Sequence, residues 1–190
     1  MSLLINHVRK WAFIHIPKTG GTSLNNILLN QEGTERITSH DSIRVIPDNS
    51  DYFIFTIVRN PYTRFMSAWQ HGIRVGRYSD NFNEFIENFN ENDMWFLPQE
   101  YYFEQGKTNN KKISCVIRYE NLSAGIKKPL EFINVHTTIP HLNRNPIYER
   151  HANLNQEKYY KFFYTENWMI EWVKERYKND FKQFNYELEI

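Results

Sequence analysis

The stretch Tyr52-Phe-Ile-Phe-Thr-Ile-Val58 constrains the fold of this chain more than any other. Its near-continuous apolar character lacks the alternation of a strand with one wet face. It suits a parallel strand covered on both sides. The run stops at Arg59-Asn60-Pro61, where Asn can cap a helix and Pro can take its first position. The spacing predicts a helix from there to about Val75. A second apolar run, Trp11-Ala-Phe-Ile-His-Ile16, ends at Pro17 and reads as another buried strand, and Ile113 to Ile117 reads as a third. Apolar residues at Leu24, Ile27 and Leu28 have helical spacing. Residues 31–50 are polar and read as loop, with a short helical turn around Ser42 to Ile46. Asn83 to Phe89 reads as a short amphipathic helix, Leu130 to Val135 as helix, and Ile139 to Pro146 as a loop closed by prolines. Thr165 to Phe184 reads as one long C-terminal helix. This order points to an α/β fold with a central parallel sheet flanked by helices. The chain has 190 residues and no internal repeat or low-complexity linker, so residues 1–190 are expected to form a single domain.

Between the first strand and its helix lies Pro17-Lys18-Thr19-Gly20-Gly21-Thr22-Ser23. Glycines let a backbone approach an oxyanion closely, and successive N–H groups with the positive helix end then bind it. Lys18 adds a mobile point charge. Thr19, Thr22 and Ser23 add hydroxyl donors, and Thr22 or Ser23 is also available to cap the helix. The expected architecture is therefore P-loop-like and three-layered. The usual triphosphate loop, G-x-x-x-x-G-K-[ST], places its lysine after the glycines and a hydroxyl on magnesium. Here the lysine comes before both glycines, the leading glycine is missing, and no clear apolar strand ends in an Asp to hold magnesium. The loop looks built for an anion that needs no divalent metal. A sulfonyl group fits, because it carries less negative charge than a phosphoryl group. A Gly-Gly turn that only joins strand to helix is the plainer reading, and the density of Lys, Thr and Ser weighs against it.

A second anion site is expected at the end of the Tyr52–Val58 strand. Arg59 presents a planar fork suited to phosphate, and Ser67, in the second turn of the following helix, can donate a hydroxyl to the same oxyanion. Ligands of open α/β sheets bind beyond the carboxyl ends of strands, where both constellations lie. Two such sites imply a ligand with two separated anionic groups. The plainer alternative pairs Arg59 with a surface carboxylate and leaves Ser67 facing solvent.

These residues carry a resemblance. Phe13-Ile-His-Ile-Pro-Lys-Thr-Gly-Gly-Thr-Ser23 and Phe55-Thr-Ile-Val-Arg-Asn-Pro-Tyr-Thr-Arg-Phe-Met-Ser-Ala-Trp69 resemble the two signatures of Golgi-type carbohydrate sulfotransferases and their bacterial relatives. Leu97-Pro-Gln99, Ile117-Arg-Tyr-Glu-Asn-Leu122, His141-Leu-Asn-Arg144 and the ending Tyr177…Asp180-Phe181…Phe184-Asn-Tyr186 are similar to the family's later segments. The resemblance implies transfer of a sulfonyl group from 3′-phosphoadenosine 5′-phosphosulfate (PAPS) to a hydroxyl or amine. It implies adenosine 3′,5′-bisphosphate as product and no metal. The loop Lys18 to Ser23 would hold the 5′-phosphosulfate, Arg59 with Ser67 the 3′-phosphate, and Asn143 and Arg144 would close over the nucleotide. The chain is expected to depart from animal members in having no membrane anchor or luminal cysteines, and its length leaves few insertions from which to build a glycan cleft.

In-line transfer needs a base for the acceptor and a cation near the leaving oxygen. Lys18 suits the second role. His is the default base, since its ordinary pKa lies near neutrality. His40, in Thr38-Ser-His-Asp-Ser-Ile-Arg44 between the two anion motifs, is the expected base, with Asp41 or Ser42 to orient its ring. The resemblance also implies a His base in this segment. Glu100 and Glu120 are the other candidates. His15 is expected to pack beneath the site, His141 to line the nucleotide pocket or hold its loop, and Cys115 to be core. The aromatic stretch Met94 to Phe103 reads as core or as a sugar-stacking wall.

Composition narrows the remaining classes. Lys plus Arg is 23 and Asp plus Glu is 22, a net charge of +1, which argues against a nucleic-acid binder. The same balance gives no support for a strongly basic cleft, so a neutral glycan or small-molecule acceptor is expected. A single Cys excludes an internal disulfide framework and a Cys-rich zinc site. No apolar run reaches the roughly 18 residues of a membrane span. Met1 to Ile5 is mildly apolar, but Asn6, His7, Arg9 and Lys10 follow at once, without a signal-peptide core. A cytoplasmic enzyme is the expectation. The alternatives are a P-loop nucleotide kinase or related phosphoryl-transfer protein, and a non-catalytic relative that keeps nucleotide binding.

Overall fold

The computed structural model describes residues 2–37, 46–47, 51–104, 113–137 and 163–188. The chain divides into two compact units, one of Met1–Arg59 with Gln99–Asn143 and one of Asn60–Pro98 with Arg144–Ile190. The expected turn at Ser42 to Ile46, apart from Ile46, and the expected loop Ile139 to Pro146 lie outside the described residues.

The first unit is built on a five-stranded sheet. Its strands are β1 (Ser2–Asn6), β2 (Trp11–His15), β3 (Thr34–Ile37), β4 (Phe53–Val58) and β5 (Cys115–Arg118), in the order β3-β1-β2-β4-β5. β2 and β4 pair in parallel from Trp11↔Phe53 to Ile14↔Thr56, and β4 and β5 from Phe55↔Cys115 to Val58↔Arg118. β1 runs antiparallel to both β2 and β3. The sheet is thus parallel in the middle, as expected, and mixed overall, because two antiparallel strands extend it on one side.

Two strands account for the difference. Leu3, Leu4 and Ile5 are fully buried, so the mildly apolar opening is a sheet strand. The turn that reverses it has no Gly or Pro. Instead Asn6 Oδ1 accepts from the Arg9 N–H at 2.8 Å, and Lys10 takes φ 55. β3 falls in the segment read as loop because its Thr-Glu-Arg-Ile is polar. It is an edge strand with Glu35 and Arg36 exposed, where burial puts little demand on composition.

The central strands behave as their composition dictates. Trp11, Phe13, Phe55 and Ile57 join Leu24 and Leu28 of α1 (Gly21–Leu29) and Ile126, Leu130 and Ile133, around α6 (Lys127–Phe132), in one apolar cluster. The alternate residues Ala12, Ile14, Ile54 and Val58 are buried as well, as both-faced burial requires. Thr56, polar in mid-strand, donates from Oγ1 to the Ile14 carbonyl at 2.8 Å. Two short helices complete the described part of this unit, α4 (Tyr101–Glu104) and α5 (Leu122–Gly125), the latter entered through a 3₁₀ turn at Tyr119–Asn121. The helix expected at Leu130 to Val135 starts earlier, at Lys127, and ends at Phe132.

The second unit is helical. α2 (Pro61–Arg74) begins as expected, with Asn60 Oδ1 accepting from the Tyr62 N–H at 3.0 Å and Pro61 in the first helical position. α3 (Phe82–Asn88) lays Phe82, Phe85 and Ile86 into an aromatic core with Tyr62, Phe65, Trp69, Phe96 and Tyr164. Phe65 sits in its middle, with ring contacts to Phe82, Phe85, Phe89, Phe96, Trp172 and Tyr177. Phe96 thus belongs to the core rather than to a sugar-stacking wall. The long C-terminal helix is in fact two, α7 (Asn167–Arg176) and α8 (Lys178–Gln183). They break at Tyr177, which has φ −112 and ψ 21 and whose hydroxyl donates to the Phe96 carbonyl at 2.8 Å. No Gly or Pro marks that break; it falls at a buried tertiary anchor.

Candidate functional site

The site grows from the end of β2. After His15 the chain turns through Ile16 and Pro17, and Lys18 takes φ 69. Left-handed backbone at a residue with a side chain costs about 1–2 kcal/mol and persists where surrounding contacts enforce it. One such contact is Thr19, fully buried, whose Oγ1 donates to the Ile16 carbonyl at 2.9 Å. That hydroxyl is therefore committed to closing the loop.

Gly20, at φ 80, is the N-cap of α1 and supplies no side-chain cap. This corrects the expectation that Thr22 or Ser23 caps the helix: both lie inside its first turn, Thr22 exposed and Ser23 buried. No acidic residue occupies that turn. The leading N–H groups of α1 thus open into a loop that carries Lys18, with the helix dipole adding positive potential.

Both glycines are held by ring neighbours. A Cβ built on Gly20 would lie 2.6 Å from Tyr119 Cε2, and one on Gly21 would lie 2.5 Å from His15 Cδ2. His15 stacks on Phe13 with ring centroids 6.0 Å apart. Burial, followed by nearby positive charges including Arg36 and Lys18, lowers its pKa to about 4, so the ring is neutral at physiological pH. It packs beneath the loop, as expected.

Arg59 follows β4 directly and is buried. Its Nη1 donates to the Lys18 carbonyl at 3.3 Å, and its guanidinium carbon stands 4.3 Å from the centre of the Tyr119 ring. Its backbone is held by Gln99, which is fully buried: the Arg59 N–H donates to Gln99 Oε1 at 2.8 Å, and Gln99 Nε2 donates to the Arg59 carbonyl at 2.8 Å. The Lys18 loop and Arg59 are therefore one locus within the first unit, cationic and lined by helix N–H groups. Such a locus can bind an oxyanion by charge-assisted hydrogen bonds.

The sequence does not single out Gln99 or Tyr119 as site residues. Each lies in a segment of family resemblance, but nothing in the spacing ties either to Arg59. Ser67 lies half-buried in the second turn of α2, in the second unit. His40, Asn143 and Arg144 lie outside the described residues, as does His141. Of the alternative bases, Glu100 is half-buried and Glu120 exposed. Cys115 is half-buried in β5, and burial raises its thiol pKa.

Among the described residues no group of three or more His, Cys, Asp or Glu is placed to hold a metal ion. Among them, too, no helix is long and apolar enough to cross a membrane. No curated protein and no solved structure gives a match to the chain. The family model described as the sulfotransferase family matches residues 1–187, which takes in both units and both sequence signatures. On that match the chain belongs to the sulfotransferase family.

Proposed function

We propose that the protein transfers a sulfonyl group from PAPS to a hydroxyl or amine of a glycan or small acceptor, as a soluble relative of the Golgi-type carbohydrate sulfotransferases. The observation that carries this reading is the meeting of Arg59 Nη1 with the Lys18 carbonyl, which brings two cationic elements to one uncapped helix start. The residues present fit the donor. Gly20 and Gly21 let the Tyr119 and His15 rings pack directly against the loop backbone, and Lys18 and Arg59 supply charge for a nucleotide with two anionic ends.

In this reading the N–H groups at the start of α1, with Lys18, Thr22 and Ser23, hold the 5′-phosphosulfate. Thr19, its hydroxyl committed, and Gly20 and Gly21 contribute backbone. Arg59 and Ser67 hold the 3′-phosphate, and Asn143 and Arg144 close over the nucleotide. When bound, PAPS supplies the sulfonyl group, and adenosine 3′,5′-bisphosphate remains. Lys18 places positive charge where negative charge develops on the leaving oxygen. His40 takes the acceptor's proton. The whole chain acts as one P-loop-like sulfotransferase domain, as a family match running through both units supports.

A thermal-shift comparison tests the reading. Adenosine 3′,5′-bisphosphate without metal should raise the melting temperature, and Lys18→Ala should abolish sulfonyl transfer from PAPS. Stabilisation by ATP with magnesium and none by the bisphosphate would overturn it in favour of a phosphoryl-transfer protein. Bisphosphate binding without transfer to any acceptor in a broad panel would favour a non-catalytic relative.

A further inference from the structure

Arg59 stands one residue beyond the last paired position of its strand. The β4–β5 register ends at Val58↔Arg118, so the ladder does not continue to Arg59. Its backbone is nevertheless held like that of a paired residue, because Gln99 supplies both missing partners from one side chain. In extended backbone the N–H and C=O of one residue point the same way, and a primary amide presents a donor and an acceptor side by side to match them. Glu lacks the donor and Met lacks both. Gln99 is fully buried, so losing its amide would leave the Arg59 N–H and C=O without these bonds in a dry setting.

The other end of Arg59 is held as well. Its guanidinium lies over the Tyr119 ring, which sets the plane of the fork. The same ring is the wall that Gly20 must stay small to accommodate, so Tyr119 touches both the arginine and the anion loop. A long, flexible cation fixed at its backbone and at its head group is pre-organised, and an anion reaching it meets a charge already in place.

We propose that Gln99 and Tyr119 are positioning residues for Arg59, and that through it they set the preference of the site for a nucleotide bearing a 3′-phosphate. This rests on the reading that Arg59 binds that phosphate.

The test is the ratio of dissociation constants for adenosine 5′-monophosphate and adenosine 3′,5′-bisphosphate, measured by calorimetry on the full chain. Wild type should favour the bisphosphate by roughly 10- to 150-fold, the range of one charge-assisted hydrogen bond. Gln99→Met should reduce that ratio by about tenfold, the lower end of the same range. Tyr119→Leu, at a half-buried site, should reduce it in the same direction and carries the test if Gln99→Met does not fold. In an Arg59→Lys background neither change should alter the ratio further. A merely structural role would lower stability and leave the ratio untouched. A wild-type preference that survives both substitutions overturns the positioning role alone. A wild-type chain that binds the two nucleotides alike, or neither, overturns the 3′-phosphate reading of Arg59 and this proposal with it.

Discussion

Replacing Gly20 by Ala separates two costs that the structure places on one atom. The first is conformational. Gly20 has φ 80, and left-handed backbone costs a residue with a Cβ about 1–2 kcal/mol. Reduced freedom of the unfolded chain returns about 0.4–1 kcal/mol. Gly33 isolates this term, because it lies in the same unit at φ 74 and a Cβ there would find its nearest atom, Asn6 Nδ2, at an ordinary 3.6 Å. Gly33→Ala should therefore cost about 1 kcal/mol. The second cost is steric. At Gly20 the new Cβ would lie 2.6 and 2.7 Å from Tyr119 Cε2 and Cδ2, and the Tyr119 ring is itself engaged by Arg59. Such overpacking adds about 1–3 kcal/mol, so Gly20→Ala should cost about 2–4 kcal/mol in all. Equilibrium urea unfolding measures both. The decisive result is the cycle with Tyr119→Ala. Gly20→Ala and Tyr119→Ala should couple by about 1–3 kcal/mol, while Gly33→Ala and Tyr119→Ala should add to within about 0.5 kcal/mol. Equal costs at the two glycines, or additivity at Gly20, would refute the wall assigned to Tyr119.

Two further predictions concern stability. The His15 pKa is lowered from 6.5 to about 4, so between these values the unfolded chain binds a proton that the folded chain refuses. The contribution of neutral His15 is then fully present above pH 6.5 and lost as the pH falls toward 4, approaching about 3 kcal/mol. The stability difference between wild type and His15→Gln, followed by urea unfolding across that range, should carry this slope; a flat difference contradicts the burial assigned to the ring. Asn60→Ala should destabilise by about 1 kcal/mol through loss of the α2 cap, while Asn60→Asp keeps the acceptor and gains from the helix dipole. Equal losses in the two variants would show that the Asn60 side chain does not act as the cap.

Much of the Lys18 locus is legible because its parts are local. A buried strand, a lysine and two glycines before a helix announce their geometry through short-range sterics, and Asn60-Pro61 announces α2 in the same way. What the sequence misplaced depends on partners far along the chain. Thr22 and Ser23 are candidates for a cap position that Gly20 takes without a side chain, because the helix start is set by where the turn ends rather than by which residue could cap it. β1 and β3 went unrecognised because a short apolar stretch and a polar edge strand have no period of their own. The helix break at Tyr177 lacks a breaker residue because its cause is a hydrogen bond to Phe96, 81 residues away.

The sequence by itself determined that the middle strands are parallel and covered on both faces, that a lysine- and glycine-bearing loop follows β2, and that an arginine ends β4. These follow from composition and steric rules that act within a few residues. Only the tertiary structure decided that Arg59 reaches the Lys18 carbonyl, that Gln99 completes its backbone bonds from 40 residues away, and that Tyr119 stands between the arginine and Gly20. Those contacts join segments whose only common cause is the order in which the strands pair, and strand order is settled by packing the whole sheet.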